Sequence, residues 1–492
     1  MKSVNLYSAE QARELDRIAI EEHDMPGGIL MERAGRRAFQ RISKSFPDRL
    51  NIVVLCGSGN NGGDGYVVAE CARNAGASVR VLFSEKPNTD TALSMYDKYR
   101  AQGGIAERFD GSLPVDANLI VDAMLGTGIN RSPSGIVADM IRAANGGGCP
   151  IVALDVPSGL DSDTGFAHAP CIEASLTVTF IARKVGCYTA DGRDCCGRVI
   201  CESLDVPEEV FSTMEPTADT IPPFAPVPRK RNTHKRDYGD LAILGGSRGM
   251  LGAVLLAGRA ALRAGCGLVT VASIRTHADI LAIHCPELMS ADIDKGKRMR
   301  LLFERCNALV IGPGFGGGVR ALGSFYDMKK FNGPVVVDAD ALRILSKPLH
   351  RDRRDNWVLT PHPGEAAKLL DCTSSDIQRN RIEAAVEIAK TYGGICVLKG
   401  SGTVVTSSAG SVRICDRGNP GMATAGMGDV LSGIIGALLA GGHAPQMAAE
   451  TGVWLHSASA DLAVETLCSA SLVASDVIDT LPEVMRGIHS PI

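Results

Sequence analysis

Apolar runs that alternate with glycine-containing segments are the feature that most restricts the fold of this chain. Examples are "NIVVLC" from residue 51, "NLIVDA" from residue 118 and "PIVALD" from residue 150, each followed within a few residues by glycine. Strands that are apolar at every position are buried on both faces, as in parallel sheets covered by helices. Similar runs recur from residue 241 onward. The pattern therefore predicts an α/β protein.

A proline-rich segment separates these runs into two series. Residues 216–228 read "PTADTIPPFAPVP", with five prolines in thirteen residues. Proline cannot continue a helix or a central strand. We therefore expect a linker at residues 216–228, between one domain of residues 1–215 and a second of residues 229–492.

Composition excludes several classes of partner. The net charge is −4, which does not suggest nucleic acid or an anionic membrane. The N-terminus lacks the apolar core of a signal peptide, and "VLSGIIGALLAGG" is too short for a membrane span. The 15 cysteines include no C-x-x-C pair, so we expect reduced thiols in the cytoplasm and read the adjacent Cys195 and Cys196 as packing residues. A homo-oligomer is expected, of a size that the sequence does not specify.

The segment "CGSGNNGGDG" of residues 56–65 follows the first apolar run. Gly57, Gly59 and Gly62 match G-x-G-x-x-G, the spacing at which a dinucleotide pyrophosphate meets a helix N-terminus. By itself this match is a weak signal, because glycine is also the usual turn residue. A dehydrogenase would further need a substrate domain with a proton donor, for which the sequence offers no plausible candidate.

Three oxygen-bearing side chains follow predicted strands of the first domain: Asn61, Asp122 and Ser158. Hard cations prefer oxygen ligands, and the carboxyl ends of parallel strands meet at one edge of a sheet. The same residue types also form Asx turns and helix caps, so the pattern leaves both interpretations open.

The motifs "NNGGDG", "GTGINR" and "DVPSGLDSDTG" occur in this order and together resemble the NAD(P)H-hydrate epimerase family, whose fold is Rossmann-like with three layers. The resemblance covers about residues 8–210. It implies a potassium ion held by Asn61, Asp122 and Ser158. Asp155 is the candidate acid or base, the alternative being a carboxylate that only binds a ribose. The implied contacts to the substrate are Asn60, Asn61, Gly62, Gly63, Asp64, Gly126, Thr127, Gly128, Ile129, Asn130, Arg131, Ser132 and Asp155.

The second domain contains "NPGMATAGMGDVLSGIIGALLAGG" from residue 419. Gly426, Gly428 and Asp429 precede an apolar run that is predicted to be helical. Glycine N–H groups at a helix start can bind an anion, and an aspartate there can accept a proton from a hydroxyl that attacks a phosphoryl group. The alternative is that Asp429 is a helix cap.

Three further motifs lie at predicted strand ends of this domain. "LKGSGTVV" places Lys399 at the start of a small loop that suits a nucleotide phosphate, although surface lysines are common. "TPHPGE" contributes His362 and Glu365, and "VVVDADAL" contributes Asp338 and Asp340. His362 also fits a structural role, and the two aspartates fit either metal or phosphate-water contacts or helix caps.

Together with "GGSRGMLGA" and "GPGFG", these motifs resemble the ribokinase-like superfamily and, more closely, the NAD(P)H-hydrate dehydratase family, over about residues 233–485. The fusion resembles the bacterial bifunctional repair enzymes that act on hydrated NADH and NADPH (NADHX and NADPHX). The resemblance implies magnesium and ADP as co-substrate, with Asp429 as the base. Met427 and Arg236 stand where many members have threonine and glycine. The implied hydrate contacts are Ala253, Gly316, His362 and Asp429, and the implied ADP contacts are Lys399, Gly400, Ser401, Gly402, Thr403 and Gly428.

Three other functions share some of these motifs. A ribokinase-like kinase of a vitamin-precursor alcohol would use the same G-x-G-D chemistry, but it does not explain "NNGGDG" or the fusion. A nicotinamide dehydrogenase or a non-catalytic nucleotide sensor would bind similar ligands. Two independent sets of motifs favour the repair function over all three.

Overall fold

The computed structural model describes residues 3–223, 229–293 and 296–487. It forms two compact units, one of residues 5–218 and one that contains the described residues from 219 onward together with Ser3 and Val4. Each unit has its own hydrophobic cores on the two faces of its sheet.

The first unit is built around a seven-stranded sheet in which all paired strands are parallel, in the order β4-β3-β2-β5-β6-β7-β8. Its strands are β1 (Asn5–Leu6, outside this sheet), β2 (Asn51–Cys56), β3 (Ser78–Phe83), β4 (Ala106–Arg108), β5 (Leu119–Ala123), β6 (Ile151–Leu154), β7 (Leu176–Phe180) and β8 (Arg198–Glu202). Its helices are α1 (Ala9–Glu22), α2 (Gly27–Ser45), α3 (Asn60–Asn74), α4 (Asp90–Ala101), α5 (Gly135–Gly146), α6 (Gly192–Cys195) and α7 (Glu208–Phe211).

The second unit has a mixed sheet in the order β9-β18-β17-β16-β15-β14-β13-β10-β11-β12, in which β17 is antiparallel to both neighbours. Its strands are β9 (Ala218–Thr220), β10 (Asp240–Leu244), β11 (Leu268–Ser273), β12 (Met289–Asp292), β13 (Ala308–Ile311), β14 (Val335–Val337), β15 (Trp357–Leu359), β16 (Ile395–Leu398), β17 (Val404–Ser407) and β18 (Val412–Ile414). Its helices are α8 (Leu251–Arg263), α9 (Ala278–His284), α10 (Gly296–Arg305), α11 (Val319–Met328), α12 (Ala339–Leu345), α13 (Pro363–Leu370), α14 (Ser374–Arg379), α15 (Arg381–Tyr392), α16 (Met427–Ala440), α17 (Pro445–Ala463) and α18 (Ala474–Gly487).

The α/β class predicted from the apolar runs is confirmed. Every position of β5, β6, β10 and β13 is buried, as expected for strands covered on both faces. Short or polar strands such as β4 and β12 carry no such signal, and the sequence pattern did not predict them.

A strand forms within the proline-rich segment, although the prolines predicted that none would. Ala218–Thr220 is a strand that pairs in parallel with β18. The five residues 217–221 contain no proline, so no ladder hydrogen bond is lost there. Thr220 also exchanges hydrogen bonds with Val4, donating its N–H to the Val4 carbonyl at 2.9 Å and accepting from the Val4 N–H at 3.0 Å through its hydroxyl. Residues 224–228 of the predicted linker lie outside the described residues.

Candidate functional sites

A cavity of about 850 Å³ opens in the first unit where its parallel strands end. Its lining comes from α1 and α2 and from the segments that follow β2, β3, β5, β6, β7 and β8. This is the edge of an open α/β sheet at which ligands bind, because several helix starts and chain turns converge there.

Asn61, Asp122 and Ser158 form one buried cluster beside this cavity. The Ser158 hydroxyl donates to Asp122 Oδ1 at 2.6 Å, and the Ser158 N–H donates to Oδ2 at 2.8 Å. Asn61 donates its amide to the Leu125 carbonyl at 2.9 Å, which leaves its buried Oδ1 without a hydrogen-bond partner among the described residues. Burial raises the pKa of Asp122 to about 6, partly offset by these hydrogen bonds. The cluster therefore offers a buried amide oxygen and a carboxylate to a cation.

Asp155 ends β6 in a left-handed conformation, with φ of 63°. Its N–H donates to the Val178 carbonyl at 2.8 Å, which holds this turn against β7. Lys184 Nζ donates to Asp155 Oδ1 at 2.5 Å and to the Phe180 carbonyl at 2.8 Å, and the lysine is only 3% exposed. Asp155 thus reaches the cavity with a buried ammonium group beside it.

The two predicted substrate loops contribute to the cavity in part. Those of their residues that line it are Asn60, Asn61, Asp64, Gly126, Thr127, Gly128 and Asp155. The predicted contacts outside the lining are Gly62, Gly63, Ile129, Asn130, Arg131 and Ser132.

Gly62 and Gly63 instead serve close packing. A Cβ atom on Gly62 would lie 2.1 Å from the Gly57 carbonyl oxygen, and one on Gly63 would meet the Met31 side chain. Gly62 thus allows α3 to begin directly against the chain that leaves β2, and Gly63 allows α3 to approach α2.

Lys184 and Asp16 also line the cavity, and both were missed by the motif search. Lys184 follows β7, so its position after an apolar run is the sequence feature that could have identified it as a site residue. Asp16 lies on α1 between the buried residues Leu15 and Ala19. A carboxylate next to the apolar face of a helix was the signal there.

The second unit has a cavity of about 380 Å³. The predicted residues Ala253, His362 and Asp429 line it, together with Asp340 and Glu365. Gly316 lies beside this lining, and its N–H donates to Asp340 Oδ2 at 2.8 Å. His362 begins α13, where its Nδ1 accepts from the Gly364 N–H at 3.0 Å while Glu365 accepts from the His362 N–H at 2.9 Å.

Asp429 lies in the first turn of α16, which begins after Gly426 with a left-handed φ of 89°. Burial and the nearby carboxylates of Asp338 and Glu365 raise the pKa of Asp429 to about 7, while Lys399 opposes this rise. A carboxylate of this kind can exchange a proton near neutral pH.

Lys399 lies at the centre of the charged groups around Asp429. Its Nζ donates to Asp338 Oδ1 at 2.9 Å and lies 3.8 Å from Glu365 Oε2. Ser432 of α16 donates to the other oxygen of Asp338 at 2.8 Å. A Cβ on Gly428 would lie 3.2 Å from Lys399 Nζ, so glycine leaves the ammonium group accessible from the start of α16.

The predicted nucleotide loop of residues 399–403 is held from behind by Arg381, which is 1% exposed. Arg381 donates to the carbonyls of Leu398 and Lys399, each at 3.2 Å. Thr403 closes the loop by donating to the Gly400 carbonyl at 3.0 Å. The loop is therefore preformed, although it does not line the cavity of about 380 Å³.

Met427, one of the two departures noted above, has a side chain that is 5% exposed and belongs to the hydrophobic core. It therefore packs inward. His456 of α17 lies nearby, and burial lowers its pKa to about 4. The start of α16 thus packs against apolar side chains and a histidine whose imidazole is neutral at neutral pH.

Within the described ranges, no three or more His, Cys, Asp or Glu side chains are grouped so that they could hold a metal ion. No helix in these ranges is long and apolar enough to cross a membrane.

Comparisons with known proteins assign a family to each part of the chain. Residues 27–186 match the family described as "YjeF-related protein N-terminus", and residues 241–483 match the family described as NAD(P)H-hydrate dehydratase. The second unit is similar to a ribokinase-like superfamily protein from Enterococcus faecalis. That structure is 25% identical with a TM-score of 0.50, and the match covers 54% of this chain and 92% of that one.

Curated relatives match nearly the whole chain. The bifunctional NAD(P)H-hydrate repair enzyme of Escherichia coli is 38% identical over 98% of this chain and 94% of its own length. The enzyme of the same name from Coxiella burnetii is also 38% identical, over 97% of this chain and 98% of its own length. With both domain families present and matches of this identity and extent, the chain belongs to the bifunctional NAD(P)H-hydrate repair enzyme family.

Proposed function

We propose that this chain repairs hydrated NADH and NADPH, that the first unit interconverts the two epimers of the hydrate, and that the second unit dehydrates the S epimer. The observation that carries the proposal is the group formed by Asp429, Lys399 and Asp338 at the start of α16. It combines a carboxylate with a pKa of about 7, a half-buried ammonium group and the N-terminus of a helix. We assign the epimerase to residues 1–215 and the dehydratase to residues 229–492.

The dehydratase must remove a hydroxyl from the nicotinamide ring, and hydroxide is a poor leaving group. Asp429 takes the proton of that hydroxyl, whose oxygen then attacks the terminal phosphorus of ADP while AMP departs with the bonding electrons. Lys399 and the N–H groups of α16 stabilise the charge on the transferred phosphoryl group. Phosphate then leaves the ring carbon, a neighbouring C–H proton is lost, and the dihydropyridine is restored.

The residues that line the cavity of the second unit fit a magnesium ion that is held mainly by phosphate oxygens and water. Such ions need only one or two protein carboxylates. The cavity-lining carboxylates of Asp340, Glu365 and Asp429 are the groups that would hold its water ligands. When bound, magnesium neutralises phosphate charge.

The first unit fits the epimerase reaction because its cavity combines a dinucleotide-sized volume with Asp155 as an acid–base group. The buried, unpartnered Asn61 Oδ1 and the carboxylate of Asp122 fit a potassium ion, with Ser158 as the third ligand. Potassium would supply positive charge beside the loops of residues 60–64 and 126–132.

A single assay tests the proposal. Purified protein is mixed with both epimers of NADH hydrate, and recovery of the absorbance of NADH is followed with ADP, with ATP and without nucleotide. We expect a fast phase from the S epimer and a second phase that completes recovery as the R epimer is converted. Asp429→Asn should lower the fast phase by about 10² or more. It should leave interconversion of the epimers intact. No recovery with either nucleotide would favour a kinase of another alcohol.

A further inference from the structure

Epimerisation of the hydrate requires proton transfer on two faces of the ring. The hydroxyl is on the carbon next to the ring nitrogen. Once the hydroxyl is protonated, it leaves as water with the bonding electrons, and the nitrogen lone pair forms a C=N bond. A water on the other face then attacks this carbon and gives up a proton, while the C=N electrons return to nitrogen. These reaction steps involve no net oxidation, but they need one acid and one base.

Asp155 is placed to serve one face. It projects into the cavity from the end of β6, on the wall formed by the sheet edge, with Lys184 bonded to one of its carboxylate oxygens. Its other oxygen, Oδ2, faces Gly126 and lies 3.6 Å from the point where a Cβ on that residue would stand.

Asp16 reaches the cavity from α1, whereas Asp155 reaches it from the end of β6. Its neighbours Ala12 and Ile20 on the same helix also line the cavity. Among the described residues, its carboxyl makes no hydrogen bond or ion pair. Burial raises the pKa of Asp16, the nearby Asp155 adds to this rise, and Lys184 opposes it.

We propose that Asp16 is the second acid–base residue of the epimerase, acting on the ring face opposite to Asp155; this rests on the epimerase function proposed above. In one direction Asp16 gives its proton to the departing hydroxyl and Asp155 accepts a proton from the incoming water. In the other direction the two residues exchange roles, as microscopic reversibility demands.

Asp64 is the competing carboxyl. It is buried on α3, it lines the same cavity, and its pKa is raised by burial and by Asp155 and Asp16. Asp64 belongs to residues 60–64 at the start of α3, which are assigned to nucleotide contact, whereas Asp16 has no such assignment. The test therefore includes both residues.

The experiment uses the full-length protein without nucleotide, so that dehydration does not proceed. The R epimer of NADPH hydrate is incubated in H₂¹⁸O, and appearance of the S epimer and of ¹⁸O in it are measured by chromatography and mass spectrometry. The variants are Asp16→Asn, Asp16→Glu, Asp64→Asn and the control Glu14→Gln. Glu14 is on the same helix, pairs with Arg17 and does not line the cavity. The fast phase with ADP and the thermal unfolding curve are recorded for each protein.

We expect one ¹⁸O per inversion in the wild type, a loss of at least about 100-fold in Asp16→Asn, and a smaller loss in Asp16→Glu. The control should match the wild type. Inversion without ¹⁸O uptake, normal inversion in Asp16→Asn, or equal losses in Asp16→Glu and Asp16→Asn would overturn the assignment. So would an Asp64→Asn protein that alone loses inversion. A wild type that does not interconvert the epimers would instead refute the proposed epimerase function.

Discussion

Lys399 Nζ lies 2.9 Å from Oδ1 of Asp338, and this ion pair connects the end of β16 with the end of β14. The two strands are not neighbours, since β15 lies between them. The pair therefore spans the ends of three strands and holds Lys399 among the charged groups around Asp429.

Replacement of Lys399 by Met should abolish dehydration and destabilise the second unit. The Asp338 side chain is 2% exposed and would be left without its cation. Loss of one partner of a buried pair costs about 3 kcal/mol or more in free energy of unfolding. Denaturant titration checks this, with Lys330→Met as the control, because Lys330 is 74% exposed and pairs only at the surface. Equal stability losses in the two variants would contradict a structural role for the pair.

The rate of dehydration should depend on pH through Asp429. The base must be ionised, and burial raises the pKa of Asp429 to about 7, so its active fraction increases as pH rises through 7. We expect kcat/KM for the S hydrate to fall about tenfold per pH unit well below pH 7. Glu365 contributes to the raised pKa of Asp429, so Glu365→Gln should move the fall of kcat/KM to lower pH. A rate that is flat between pH 5.5 and 8 would argue against Asp429 as the base.

Two glycines of one motif should respond differently to alanine. A Cβ on Gly62 would lie 2.1 Å from a backbone oxygen of Gly57, whereas a Cβ on Gly59 would meet nothing within 4 Å. Gly62→Ala should therefore cost about 1–3 kcal/mol or more in stability of the first unit. Gly59→Ala should leave that stability almost unchanged. Thermal unfolding of the two variants side by side decides the point, and similar curves would count against the packing role of Gly62.

Removal of potassium should destabilise the first unit. A ligand that binds only the folded state adds about 2.7 kcal/mol at 100 times its Kd. Thermal unfolding in potassium chloride and in tetramethylammonium chloride at equal ionic strength measures the effect. Asn61→Ala should abolish the difference between the two salts, because it removes the unpartnered Oδ1. The neighbouring variant Asn60→Ala should retain it. A wild-type protein that unfolds identically in both salts would contradict potassium binding in the first unit.

Local pattern sufficed for the parts of this molecule that depend on neighbours in sequence. The apolar runs predicted the buried strands. Ser8 and Gln11, three residues apart, form both reciprocal bonds of a capping box at the start of α1, which is local in the same sense. Asp429 was placed at the start of α16 by the glycines before it.

Side-chain pairs between residues far apart in the chain could not be predicted from local sequence patterns. Lys184 meets Asp155 across 29 residues, and Lys399 meets Asp338 across 61. Met427 shows the same limit, since only packing determines that its side chain enters the core and not the space near Lys399.

The hydrogen bonds between Val4 and Thr220 join positions that are 216 residues apart, and both positions belong to the second unit. That unit is therefore discontinuous, and the first unit is inserted between its pieces. At about 5–20 residues per second, a ribosome needs roughly 10–40 s to make the intervening chain. During translation, residues 3 and 4 must wait for Thr220 to be synthesised, while the complete first unit can already fold. An expression fragment that begins at residue 229 would lack both pieces of this junction, and one that begins at Ala218 would keep β9 but still lack Val4.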